Sequence, residues 1–161
     1  MSTFFLNQAT SQRYLVGVPF THGEMNYTAA GATADTFKSL GFIEVQVQPR
    51  PDDRYYINNS YPKDDGSWDS QPRDLDELKQ GFLSENDSAC GSLLAPTDWM
   101  YVRLAETGQA VPDATASYRA DVRHVHDQRE AEINAAETLD ELQALMAGGL
   151  SEWPVQVELE Q

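Results

Sequence analysis

Apolar and polar residues alternate most clearly where Ile43, Val45 and Val47 are set against Glu44, Gln46 and Gln48, the period-two signature of a strand with one buried face. Earlier apolar runs at residues 3–6 and 14–20 are its candidate partners. Residues 55–58 predict a further strand after the turn-forming Pro49-Arg50-Pro51-Asp52-Asp53. Between these runs, residues 33–40 predict a short helix. Thr33 is its cap, Phe37 and Leu40 share one face, and Gly41 is the stop. Together these elements predict a small β-rich lobe over residues 1–60. Residues 61–72 are rich in Asp, Ser, Pro and Gly and hold the turn dipeptide Asp65-Gly66, so they read as a linker or an exposed hairpin.

The period then changes from two to 3.6. Leu75, Leu78, Phe82, Ala89 and Leu93 recur at helical spacing, with Asp74, Asp76 and Glu77 placing negative charge where a helix amino terminus favours it. Pro96-Thr97-Asp98 predicts the end of that helix and the cap of a second, which runs from Trp99 to Glu106 and stops at Gly108. A third helix is predicted from Pro112-Asp113 to about Ala136. It carries Ala114, Tyr118, Val122, Val125 and Ile133 on one face and leaves Arg119, Arg123, Asp127, Glu130 and Glu132 mostly outside. A capping box, Thr138 with Glu141, opens a fourth helix bearing Leu139, Leu142, Leu145 and Met146, which Gly148-Gly149 ends. Val155, Val157 and Leu159 alternate with polar residues, as a terminal strand does. The predicted fold is α+β: a small N-terminal mixed β lobe, then a C-terminal helical hairpin or bundle over residues 73–161 that can close with a strand. There is no repeat at a period of 20 to 50 residues and no low-complexity tract, which argues against a solenoid.

Charge narrows the classes of partner. Eleven Lys and Arg against 26 Asp and Glu leave a formal charge of −15 and a pI near 4.3. Such a surface repels phosphate backbones and anionic lipid heads, so neither nucleic acid nor membrane is an expected partner. The first twelve residues lack a basic segment followed by an apolar run, and no stretch approaches the roughly 18 apolar residues of a bilayer span. The expected location is therefore the cytoplasm of a host cell. Cys90, the single cysteine, has no Cys or His neighbour at metal-ligand spacing and reads as a small packing residue.

Candidate chemistry is sparse. His124 and His126 diverge by about 200° on a helix and cannot share a metal, whereas His126 and Glu130, at i and i+4, make half a site that needs further ligands from elsewhere. The pair reads more simply as two polar side chains facing solvent. Asp52-Asp53 and Asp64-Asp65 lack the Gly and Glu spacing of a calcium loop and read as solvated turns. No nucleophile elbow, phosphate loop or dinucleotide fingerprint is present. No enzyme activity, cofactor or metal is expected.

One ordered set of residues is more specific. Leu93-Leu94-Ala95-Pro96-Thr97-Asp98-Trp99 is followed by Arg103, Glu106-Thr107-Gly108, Val111-Pro112, Tyr118-Arg119-Ala120-Asp121-Val122-Arg123 and Trp153-Pro154. This order resembles the tail-fibre assembly proteins and tail assembly chaperones of tailed bacteriophages. In that family a helix leads to Leu-Leu-x-x-Thr-Asp-Trp, then a spacer, a Tyr-Arg-x-x-Leu-Arg-like helix and a closing Trp-Pro. The likeness spans residues 75–155 and, more weakly, residues 13–60. Val122 stands where Leu is typical, and residues 124–151 form a long insertion.

The resemblance implies a protein that binds a tail-fibre or baseplate protein, assisting fibre assembly and attachment or remaining in the virion tail as a structural adaptor. It leaves homo-oligomerisation open. The partner-binding residues it implies are Asp98, Trp99, Arg103, Tyr118, Arg119, Arg123, Trp153 and Pro154. From the residues themselves, Thr97 or Asp98 suits a helix cap, Arg103, Arg119 and Arg123 suit carboxylate pairing, and Trp99 and Tyr118 suit either core anchors or partner contacts.

Overall fold

The computed structural model describes residues 3–155 and is α+β, with small sheets first and helices after. The chain divides into two compact units, the first ending at Pro72 and the second beginning at Arg73.

The first unit is organised by strand β1, Thr3–Asn7, which pairs antiparallel with β2, Gln12–Tyr14, on one side and β5, Ile43–Gln46, on the other. The consecutive Phe4, Phe5 and Leu6 are all buried because this central strand is covered on both faces. Phe5 faces an aromatic cluster with Phe37 and Phe42 that Tyr14 and Phe20 complete, while Phe4 and Leu6 pack with Val45 on the other face. Helix α1, Ala34–Ser39, carries Phe37 into the cluster. Thr33 caps it, its Oγ1 accepting from Thr36 N at 3.1 Å, and Gly41 ends it at φ +77°.

Two expectations fail here for local reasons. Residues 14–20 do not make one strand. Only the ends lie in strands, Phe20 in β3, Phe20–His22, which pairs with β4, Met25–Tyr27. Between them Gly17 turns the chain at φ +79°, leaving Leu15, Val16 and Val18 exposed. On β5 the alternation buries Val45 but leaves Ile43 exposed.

Residues 61–72 lie within the first unit. Strand β6, Tyr56–Asn58, pairs with β7, Ser70–Pro72, and the loop between them folds back onto the residues after β5. Gln48 N donates to Gly66 O at 2.9 Å, and Trp68 Nε1 donates to Gln48 O at 2.9 Å. Gly66 has φ +84°, and a Cβ there would stand 2.1 Å from the Gln46 carbonyl oxygen. Gly66→Ala is therefore expected to cost about 2 kcal/mol or more, from an unfavourable φ and a displaced backbone. Urea unfolding followed by Trp68 fluorescence checks it.

The second unit is built on α2, Leu75–Leu94, and α4, Asp113–Ala135. Their cross-links pair residue 79 with 134, 86 with 126 and 129, and 94 with 119, so the helices run antiparallel. Asp74 caps α2, its carboxylate accepting from Glu77 N at 3.0 Å. Phe82 of α2 and Tyr118, Val122 and Ile133 of α4 are buried, as their spacing predicts, but Leu75, Leu78, Ala89 and Leu93 are only half-buried. Thr115 takes the buried position expected of Ala114.

Helix α3, Asp98–Thr107, follows a 3₁₀ turn, Ala95–Thr97, and stops at Gly108 with φ +75°. Helix α5, Leu139–Ala144, opens on the predicted capping box between Thr138 and Glu141 and buries Leu142. A wider turn, Leu145–Gly149, follows it, with Gly148 at φ +134°. Of the predicted terminal strand, Val155 is exposed and in no strand, and the rest lies outside the described residues.

Candidate functional site

The eight residues singled out by the sequence fall into separate places on the second unit. Five gather where α2, α3 and α4 meet. Arg119, expected outside, is buried, because the turn between α2 and α3 closes over it. Its Nη1 donates to Leu94 O at 2.7 Å and to Thr97 Oγ1, its Nη2 lies 2.8 Å from Asp98 Oδ1, and its guanidinium covers the Tyr101 ring at 4.7 Å. One side chain thus holds the end of α2, the connecting turn and the start of α3.

That geometry corrects the expected cap. Thr97 is fully buried, and its hydroxyl donates back to Leu94 O at 2.9 Å instead of capping α3. The chain passes from α2 into α3 with helical dihedrals, ψ −1° at Thr97, so it lacks the extended conformation that aims a cap side chain forward.

Tyr118 is an anchor, 3% exposed, and its hydroxyl has no hydrogen-bond partner among the described residues. Trp99 is no core anchor but stands on the outside of the helix, 50% exposed. Arg103 stacks on the Trp99 ring at 4.7 Å, steadying the indole in an outward pose. Val102, one turn on, is exposed beside it, Tyr101 and Leu104 are exposed on other sides of the helix, and Met100 alone of α3 is buried.

The remaining three residues are elsewhere. Arg123 is exposed on α4. Trp153 lies half-buried under Arg129, whose guanidinium is 5.0 Å from its ring, with Pro154 half-buried next to it. Ten residues of α4 separate Arg119 from Arg129, about 15 Å at 1.5 Å per residue. The stretch 124–151 extends α4 and returns through α5. Arg129 Nη1 then donates to Ser151 O at 2.7 Å, and Ser151 N donates to Glu132 Oε2 at 2.9 Å. These bonds hold Glu132 below the usual carboxylate range, chiefly through the Ser151 hydroxyl.

The seam between α2 and α4 contains a polar network that periodicity could not reveal. Asn86 is buried, donating to His126 O at 3.1 Å and accepting from Arg129 Nε at 3.0 Å. His126 Nε2 meets Asp87 Oδ1 at 2.8 Å, and its Nδ1 meets Asp127 Oδ1 at 3.1 Å. His126, Asp127 and Glu130 can each bring one ligand atom within 4.8 Å of the others. With a carboxylate on each ring nitrogen, the group is arranged as a charged imidazolium rather than as a neutral ligand.

Asp87, then Asp127, raises the His126 pKa above its ordinary value. A raised histidine contributes stability that is complete below the unfolded value and disappears as pH rises through the folded one. Thermal melts by circular dichroism between about pH 6 and pH 8.5 are expected to show a falling midpoint. His126→Gln should flatten that component.

Other groups offer little chemistry. Burial pushes the Cys90 thiol up, which disfavours its nucleophilic form. Asp64 holds Arg13 Nη2 at 2.7 Å, and Asp65 accepts from Ser67, whose hydroxyl holds it below the usual range. An open groove of about 750 Å³ in the first unit is lined mainly by Phe4, Leu15, Val47, Tyr61 and Trp68. Its Arg13 is occupied by Asp64 and by Pro62 O. Among the described residues no helix is long and apolar enough to cross a membrane. No protein-family model, curated protein or solved structure matches the chain.

Proposed function

We propose that this chain is a tailed-bacteriophage tail protein that binds the tail-fibre protein and assists its assembly and attachment, with α3 as the docking helix. The observation that carries the reading is Trp99. In the ordered Thr-Asp-Trp segment that resembles the tail-fibre assembly family, this residue stands half-exposed on a helix that Arg119 ties down from below. A rigid aromatic at the surface, with Val102 one turn on also exposed, supplies contact area at small conformational cost. Arg119 serves the site indirectly by holding α3, Tyr118 is buried next to it on α4, and Trp153-Pro154 latches the chain's return onto α4.

The test is co-expression with the tail-fibre protein encoded by the same phage. Expected are a higher soluble yield of fibre protein and its co-elution with this chain. Trp99→Ala should lower capture about tenfold or more. Equal fibre yield with and without the chain, and no co-elution, would reject the proposal. A protein inventory of purified particles then separates the two fates. Absence fits an assembly factor that departs, and stoichiometric presence fits a permanent adaptor of the fibre or baseplate.

A further inference from the structure

Helix α3 has ten residues and buries one of them, Met100. Helices of that length are marginal in water and depend on packing an apolar face. Yet Trp99 and Val102, three residues apart on one side of the helix, are 50% and 57% exposed, an apolar pair of the kind that marks an interaction surface. The helical period aligns Asp98, Val102 and Glu106 in one row, at i, i+4 and i+8, with Trp99 beside it. An apolar spot is therefore bracketed by two exposed acidic residues, about 12 Å apart along the axis. Arg103 is committed to the Trp99 ring; Arg119 is committed to the buried turn and to Asp98 Oδ1, a side chain still 61% exposed, so Glu106 is the acid of the row that neither arginine pairs. The second unit as a whole holds six Lys and Arg against eighteen Asp and Glu, so −12 of the chain's −15 lies there.

We infer that this row docks a basic protein segment with an apolar centre. The segment sets a large apolar side chain against Trp99 and Val102 and places Lys or Arg against Asp98 and Glu106. A second copy of this chain is a poor occupant, because two units of net charge −12 repel each other. The inference rests on the reading of α3 as the docking helix and adds the chemistry of the partner.

The probe is a synthetic helical peptide with a leucine row flanked by lysines, titrated into the ¹⁵N-labelled full chain. Two controls carry Glu for every Lys, or Ser for every Leu. The Trp99 indole signal, identified by its loss in Trp99→Phe, is followed. The Lys–Leu peptide is expected to move that signal saturably and the two controls to leave it in place. Val102→Glu should weaken binding about tenfold with helical circular dichroism unchanged, and Glu106→Gln and added salt should weaken it several-fold.

Equal binding of the Glu peptide, an unmoved Trp99 signal, or indifference to Val102→Glu would overturn the inference. So would a dimer of the free chain that Val102→Glu dissociates. The two readings fail separately. A chain that binds the Lys–Leu peptide at Trp99 but does not capture fibre protein keeps this inference and loses the phage assignment. Capture through Trp99 that ignores both salt and Glu106→Gln keeps the assignment and loses this inference.

Discussion

Phe37→Ala is expected to destabilise the first unit by about 4 kcal/mol, the largest single effect in the molecule. Phe37 is fully buried, and its ring lies 4.9 Å from Phe5, 4.8 Å from Phe20, 5.9 Å from Tyr14 and 6.0 Å from Phe42, measured between centroids. It is therefore the shared neighbour of rings from β1, β2, β3 and the residue before β5. Truncation removes the transfer free energy of the ring and leaves a cavity walled by stiff aromatics that cannot easily collapse inward. A unit of this size has little reserve, so the variant should lose much of its folded population. Trp68 is the one tryptophan of the first unit, and its fluorescence in a urea titration reports that loss. A midpoint shift worth less than about 1 kcal/mol would show that the cluster does not organise the unit.

Arg119→Met is expected to cost the second unit about 3 kcal/mol and to loosen α3. The loss does not come mainly from the ion pair, since the Asp98 side chain is 61% exposed and solvent screens it. It comes from the buried bonds to Leu94 O and Thr97 Oγ1, which a charged donor makes strong and which methionine cannot replace. Asp98→Asn is the control, expected to cost less than about 1 kcal/mol. Arg119→Lys should recover little, because one ammonium cannot reach the carbonyl, the hydroxyl and the carboxylate together. Urea unfolding by circular dichroism checks all three. If Arg119→Met and Asp98→Asn cost the same, the buried bonds are not what holds the turn. In capture experiments, on the proposed reading, Arg119→Met should weaken binding indirectly, through a mobile α3, whereas Trp99→Ala should weaken it directly and leave stability near that of the parent.

The amino-acid pattern alone determined the features that depend on residues within one helical turn. The stops at Gly41 and Gly108, the cap at Thr33, the box between Thr138 and Glu141, and the length of α4 are all satisfied by neighbours up to four positions away. The α+β class follows from the change of hydrophobic period near residue 73. What the tertiary structure decided involves partners far apart in sequence, on which local periodicity carries no signal. Arg119 looked like a surface cation until Leu94 and Thr97, 25 and 22 residues earlier, supplied acceptors that make its burial tolerable. His126 and Glu130 looked like a surface pair until α2 brought Asp87 to the ring. Residues 61–72 looked like a linker or hairpin, and the bonds from Gln48 N to Gly66 O and from Trp68 Nε1 to Gln48 O fasten that hairpin to its unit. Trp99 moved the other way. A large aromatic on an amphipathic helix is ordinarily core, and only the packing of α3, which turns Met100 inward, leaves the indole half-exposed.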